Sequence, residues 1–436
     1  MFSGPTIFGL VPLIIFVVLV FRKWNPVVSI FIATIVGAVM AGASMVEIAT
    51  TTKEGLGSFL AYVGLIIMAG AGLGKIAEKT GVAQKIVEFV MNKIGIDSAN
   101  KAILGTMASS TILSGSLGTL SGANAVTAPV VIPIVSKIGL SSSAVAVIFQ
   151  GAGVTGLFLG PFTPPMVTLM EITGLSYFQV VLYAGLPVSI VMWIVTFFYV
   201  KWILPKTIQT HPYTKEDVAS FSVNNNDTPL DPKVVARATW AFVISLVGLI
   251  VYGVITQGGS TFALVVIIGT AIITGLAAKL SPNEIADTFF EGAKPLIWLF
   301  FQFILFTPFI FYIQELGGFE SLKNMIMPLI DKGGNLTLVL LTSLTGIAGV
   351  PGAAVAQSIV LNEMFGSLYL EAGIPISIWV LVLLVGSQMT EFLYPVGDTL
   401  ASMGIARSKD LKTMVVFGIV ITVFVVLFVG LRSLII

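Results

Sequence analysis

Two tracts place polar residues where an apolar run should continue. Leu113 to Pro129 reads LSGSLGTLSGANAVTAP, and Gly346 to Ser358 reads GIAGVPGAAVAQS. Glycine and proline here break a helix and free backbone N–H and C=O groups, which a membrane tolerates only where protein or a water-filled cavity satisfies them. A hairpin tip accommodates such a break. It turns the positive end of its second arm toward an anion. Ser121, Gly122, Asn124 and Thr127 in the first tract, with Gly352, Gln357 and Ser358 in the second, form the candidate substrate-binding set. A second breaker follows each tract: Gly160-Pro161-Phe162-Thr163-Pro164-Pro165 and Tyr394-Pro395-Val396-Gly397-Asp398-Thr399. Successive prolines interrupt a helix; the freed carbonyls can hold sodium and the next half-helix can face a solute. Thr163 therefore joins the substrate set, and Ser121, Asn124, Gly160 and Thr163 offer a Na⁺ site.

A surface of small residues for close helix packing competes with this account. Packing alone has no use for Asn124 or Pro351, however, and the tracts occur twice. Glu391 lies in the span before the second breaker and Asp398 inside it. Acids at membrane depth are costly and mark ion or proton pathways, so these two are the candidate coupling groups, against a purely structural hydrogen bond. Glu363 and Glu171 fall nearer an interface, where the structural account is preferred. Gly70-Ala71-Gly72-Leu73-Gly74-Lys75 lacks phosphate-loop spacing and a following hydroxyl residue, and reads as helix packing.

Other chemistry is excluded by composition. The chain has no cysteine and one histidine, His211, which lies in its most polar stretch. Thiol catalysis and thiolate metal sites are absent, and an enzyme is not expected. A net charge of +1 gives no basic footprint for nucleic acid. No cofactor is expected beyond a coupling ion, H⁺ or Na⁺. Charged residues make up 10% of the chain and hydrophobic ones 56%, where soluble proteins carry about 25% charged. Apolar runs long enough to cross a bilayer recur throughout. The reading is an all-α polytopic protein partnered by the lipid bilayer.

The elements that must position these residues come in two sets. Glu47 to Gly55 (EIATTTKEG) aligns on Glu284 to Gly292 (EIADTFFEG) with six of nine positions identical. The same spacing pairs Ile76 with Ile313, Glu78 with Glu315 and Gly81 with Gly318; a spacing three residues shorter pairs Gly115 with Gly349, Gly118 with Gly352 and Pro161 with Pro395. This gives a first repeat over 1–200 with a re-entrant hairpin near 102–136, a polar linker over 201–233, and a second repeat over 234–436 with a hairpin near 336–370. Each repeat holds three spans, the hairpin and two more spans, about ten spans in all. Such a threading collects all of the 22 basic residues but Lys53, Lys323, Lys332 and Arg432 on one face. Cytoplasmic loops attract Lys and Arg, so the linker is expected inside the cell, both termini outside, and the chain in the inner membrane. The repeats are then inverted, as in secondary transporters that bind substrate at the repeat interface.

The stretch AGLGKIAEKTGVAQKIVEFVMNKIG, Ala71 to Gly95, resembles the region after the third span of the gluconate permease family. Ser121 to Thr127, with Thr163-Pro164-Pro165, is similar to the hairpin-tip and Thr-Pro-Pro signatures of the divalent anion:sodium symporters. Both lie in the ion transporter superfamily. The resemblance implies hairpin tips that bind carboxylate and coupling ions, a scaffold domain that forms a homodimer, and a transport domain that moves as an elevator. The second tip departs from the symporters' Ser-Asn-Thr pattern, and Ala125 and Val126 separate Asn124 from Thr127 in the first. The gluconate-permease-like stretch, with the protonatable Glu391 and Asp398, favours protons. The expected function is cation-coupled symport of a small organic or hydroxy-acid anion such as gluconate, with a Na⁺/H⁺ antiporter or an amino-acid carrier as alternatives.

Overall fold

The repeated segments owe their helix starts to one local device. Ser44 and Ser281 each precede a Glu by three residues, and each pair closes a capping box at the head of helices Met45–Leu56 and Pro282–Ala293. The N-cap N–H groups donate to Glu47 Oε2 at 2.6 Å and to Glu284 Oε2 at 2.8 Å. Two otherwise orphaned donors are thereby satisfied at each helix start.

A computed structural model describes residues 5–223, 231–256, 258, 260–349, 354–395 and 397–435, and all its regular elements are helical. Among the described residues eight helices are long and apolar enough to cross a membrane, Leu120–Ile138, an arm of the first hairpin, being one of them. Ten spans were expected. Ile7–Phe21, Pro26–Ala41 and Ala263–Ala277 are apolar but shorter; fifteen helical residues rise only about 22 Å, less than the ~30 Å hydrocarbon core.

The chain divides into two compact units, each drawing on both ends of the sequence. The first comprises Met1–Ile66, Pro295–Thr390 and Val426–Ile436, and the second Ile67–Lys294 and Glu391–Val425. In the first unit, Gly318–Ile347 is two helices meeting at Gly334, whose φ of 65° and ψ of −162° leave the helical region. The second segment is followed by Ala354–Glu371, and Ile376–Gln388 lies almost wholly buried. Phe16, Phe306 and Phe309 form a ring cluster with centroids 5.5–5.9 Å apart.

In the second unit the first hairpin consists of Ala99–Leu117 and Leu120–Ile138. Gly118 turns the chain between the arms at φ 70°, a left-handed conformation that glycine adopts without steric cost. The span after the hairpin, Ser142–Gly151 and Gly153–Leu159, is buried nearly throughout. Its Gly156 lies so close to the first arm that a Cβ there would fall 2.2 Å from the Thr111 carbonyl and 2.7 Å from the Gly115 nitrogen. Small residues permit this backbone-to-backbone approach.

Gly156→Leu should therefore lower the thermal midpoint of the purified protein sharply, by the 1–3 kcal/mol or more typical of overpacking. Gly404→Ala, where an added Cβ meets nothing within 4 Å, should leave it unchanged.

Candidate functional site

Breaking a buried helix strands carbonyl groups, and in the second unit both breakers are closed by a threonine hydroxyl. At the first, helix Gly153–Leu159 ends, Gly160 is extended, and Pro164 opens the next helix. Thr163 Oγ1, fully buried, is shared between the carbonyls of Leu157 at 2.5 Å and Gly160 at 2.9 Å. The Tyr177 hydroxyl donates to the Leu159 carbonyl at 2.7 Å. The Gly160 and Thr163 oxygens offered to sodium thus already serve each other.

At the second breaker the short helix Thr390–Leu393 stops, and Asp398 opens helix Asp398–Ile405. Thr399 Oγ1 donates to the Glu391 carbonyl at 2.8 Å. Gln150 Nε2 lies 3.5 Å from the same carbonyl, and Gln150 Oε1 accepts from Ser402 Oγ at 3.1 Å. Gly397 sits at φ 51° and ψ −119°, a backbone region essentially reserved for glycine. A Cβ on it would lie 3.2 Å from Glu391 Oε2. The Glu391 carboxyl, largely buried, therefore lies against the residue that precedes Asp398.

The sequence-predicted residues fall into three groups. Ser121 and Asp398 are brought together: Ser121 Oγ donates to Asp398 Oδ1 at 3.3 Å. Ser121 lies in the first turn of Leu120–Ile138, so the carboxylate stands at the positive end of that helix as well as its own. Gly122 beside it is exposed. Asn124 and Thr127 are turned into the protein: Asn124 Oδ1 accepts from Ser110 Oγ at 2.6 Å, Asn124 Nδ2 donates to the Phe149 carbonyl at 3.3 Å, and Thr127 Oγ1 donates to the Ala123 carbonyl at 2.8 Å. Asn124 thus ties the two hairpin arms to the following span.

The third group lies in the first unit. Gln357 Nε2 approaches the Gly346 carbonyl, the Gly386 carbonyl at 2.7 Å and Thr390 Oγ1 at 2.9 Å, and Thr390 in turn donates to the Gly346 carbonyl at 3.1 Å. Ser358 Oγ donates to the Val355 carbonyl at 2.7 Å. Gly352 lies outside the described residues. Glu363 accepts from Gln314 Nε2 at 2.5 Å. Among the described residues no group of three or more His, Asp or Glu could hold a metal ion.

His211 is 3.6 Å from Asp410 Oδ2 through its Nδ1. Burial pushes the Asp410 carboxyl up, but hydrogen bonds from Thr413 and Ser143 outweigh it and hold the group below the usual carboxylate range.

Gln150, Thr390, Thr399, Ser402 and Tyr177 were missed in the sequence. Thr399 carried a signal, a hydroxyl residue a few positions past a proline break; Gln150 carried none, because its partners lie some 240 residues further along the chain.

A cavity of about 310 Å³ lies against the first hairpin tip and first breaker, with Thr111, Ser116, Gly118 and Gly160 in its lining. Its volume is at the lower end of the roughly 300–1,000 Å³ of small-molecule sites. Thr163→Val and Thr399→Val should each cost about 1–3 kcal/mol by stranding a buried carbonyl, read as a lowered midpoint in thermal unfolding. Thr→Ser at either position should restore most of it.

A model described as GntP family permease matches residues 5–281. A gluconate permease of Bacillus licheniformis is 30% identical over 169 residues, 38% of this chain and 36% of that protein. The match thus spans about a third of the relative's length. Among solved structures, MtrF of Neisseria gonorrhoeae, described in connection with a class of antimetabolite efflux pumps, has a TM-score of 0.56 at 14% identity, covering 89% of this chain and 84% of that one. The YdaH transporter of Alcanivorax borkumensis has a TM-score of 0.51 at 13% identity, covering 88% and 87%. These two likenesses are of fold. With its succession of apolar helices, the chain is a multi-pass membrane protein and belongs to the GntP permease family.

Proposed function

We propose that this chain is a secondary transporter that carries a small hydroxy-acid anion such as gluconate together with a proton. The observation that carries the reading is the 3.3 Å hydrogen bond from Ser121 to Asp398. It sets a carboxylate at the N-terminus of a hairpin helix, the place where an anionic solute is best stabilised. An arriving carboxylate and Asp398 then compete for one positive helix end. A proton on Asp398 removes the repulsion, so anion binding and protonation favour each other, and such mutual dependence is a coupling free energy. Glu391, packed against Gly397, is the second acid at this break. Protons are favoured over sodium because Thr163 already engages the Gly160 carbonyl. The likeness to a gluconate permease supports the substrate class. An inverted arrangement of the two repeats, a homodimer and an elevator movement in the inner membrane belong to the same proposal; what supports the repeats is that three apolar helices precede the helix pair in each half, Ile7–Phe21, Pro26–Ala41 and Phe59–Lys79 in the first and Pro232–Ile255, Ala263–Ala277 and Ile297–Glu315 in the second.

In proteoliposomes an inward proton gradient should drive accumulation of labelled gluconate. Failure of gluconate, citrate and lactate to accumulate under either a proton or a sodium gradient would exclude the reading. Asp398→Asn mimics the protonated state. It should keep gluconate exchange, lose concentrative uptake and abolish the pH dependence of binding; accumulation with an unchanged pH profile would rule out Asp398 as the proton carrier. Ser121→Ala should raise KM roughly tenfold, equivalent to about 1.4 kcal/mol.

A further inference from the structure

Helix Pro232–Ile255 is the least buried of the long apolar helices described. Lys233, Arg237 and Trp240 follow one another along it at helical spacing, so they share one face. All three are exposed, Trp240 by 68%. Ile244, Val247 and Val251 continue the same face and are exposed too. The face is thus cationic at its start, then aromatic, then apolar. Arg237 is fixed in place, because its Nε donates to the Ala277 carbonyl at 2.6 Å, at the C-terminus of the adjacent helix Ala263–Ala277. Lys279 follows two residues later, exposed and at φ 67°, a left-handed conformation that strains any residue carrying a Cβ. Exposed apolar side chains, Leu276 and Ile272 among them, run back from that end along Ala263–Ala277. All of these residues lie within the second unit.

We infer that Lys233, Arg237, Lys279 and Trp240 form a binding site for an anionic glycerophospholipid, its phosphate among the three cations and its acyl chains along the apolar stripe beyond Trp240. Charge complementarity identifies the occupant. Among the described residues none of the three cations is paired with a carboxylate, whereas Lys75, Lys85, Lys101 and Lys323 each are. The described acids that flank them in sequence are already engaged: Asp231 Oδ1 accepts from the Lys233 N–H at 2.9 Å, and Glu284 closes the capping box with Ser281. The bond to Ala277 uses Nε alone and leaves the terminal N–H groups of the guanidinium to fork onto a phosphate, a geometry that arginine offers and lysine does not. Capping a helix end accounts for Arg237. It has no use for Lys233 one turn away, for an exposed indole, or for a left-handed lysine where glycine would be unstrained. Basic residues beside a membrane helix draw anionic headgroups, and tryptophan belongs at the boundary between headgroups and hydrocarbon. A soluble anion would engage the cations but not the indole or the stripe, so the occupant is a lipid rather than free phosphate. The site is independent of what the protein carries.

To test this, delipidated protein in detergent micelles is titrated with dioleoyl phosphatidylglycerol and, separately, with dioleoyl phosphatidylcholine. Bound lipid is counted by native mass spectrometry, and the thermal midpoint is followed alongside. Phosphatidylglycerol should be retained and raise the midpoint; phosphatidylcholine should do neither. Lys233→Gln should weaken phosphatidylglycerol binding about fivefold, the effect of about 1 kcal/mol per basic residue at a membrane surface, and Arg237→Gln about tenfold, because a forked contact is lost. Lys279→Gly separates binding from folding. It should weaken phosphatidylglycerol binding about fivefold without lowering the midpoint of the lipid-free protein, since glycine adopts the left-handed conformation without strain. Lys206→Gln, which removes an exposed charge elsewhere, should leave phosphatidylglycerol binding unchanged.

Equal retention of the two lipids overturns the site. So does a loss after Lys206→Gln as large as that after Arg237→Gln, which signals diffuse attraction of charge. If inorganic phosphate alone raises the midpoint as far as phosphatidylglycerol does, the occupant is a free anion and the lipid site falls. If Trp240→Ala and Arg237→Gln turn a dimer into a monomer while lipid retention stays the same, the face is an interface with a second copy of the chain, and the lipid site falls again. Should Arg237→Gln fail to give a monodisperse protein through loss of its bond to Ala277, Lys233→Gln and Lys279→Gly carry the comparison.

Discussion

A backbone carbonyl that loses its helical partner inside a lipid bilayer has no water to turn to, and the architecture of this chain follows from how that debt is settled. Each break in a buried helix exposes such groups. Each is closed from within the chain, at Leu157, Leu159 and Gly160 by the hydroxyls of Thr163 and Tyr177, and at Glu391 by Thr399 with Gln150 nearby. Polar groups beyond these bonds, such as Ser121 and Asp398, are what the proposed site has left to offer a solute. Among the residues that the sequence offers as ligands, Asn124 and Thr163 also hold internal hydrogen bonds that close the structure.

The contrast between Ser121 and Asn124 illustrates the division. They stand three residues apart on one hairpin arm, yet Ser121 reaches Asp398 while Asn124 is fully buried between Ser110 and the Phe149 carbonyl. Rotation by three residues of helix separates a group that faces the charge from one that holds the arms together. Gly397 performs a comparable service at the second break: its positive φ lets the chain turn sharply enough to set Asp398 at a helix start with Glu391 alongside.

Much of this was legible in the sequence because it depends on local chemistry. Tracts of glycine and serine announced the hairpin, successive prolines announced the breaks, and the shared EIA…EG segments announced two helices with the same start. The stretch after the third span pointed to the gluconate permeases, which the family match bears out. Gln150 could not be found, because an amide in an apolar helix becomes informative only when its distant partners are known. The orientations of Asn124 and Thr127 were equally hidden: helical phase fixes which side a residue takes, but packing decides which side is dry. Apolar composition identifies a helix that prefers lipid without fixing its length, and three of the apolar helices, Ile7–Phe21, Pro26–Ala41 and Ala263–Ala277, are shorter than the rest.

The approach of Gly156 to the backbone of Thr111 and Gly115 has a mechanical corollary. With no side chain between them, the two helices meet as interlocked surfaces, and neither can slide along the other without first separating. The hairpin tip and the first breaker are carried on those same two helices. The 310 Å³ cavity that they border is therefore stiff in its own frame. Any movement that relocates it must transport floor and wall together, leaving deformation to side chains and to the loops beyond.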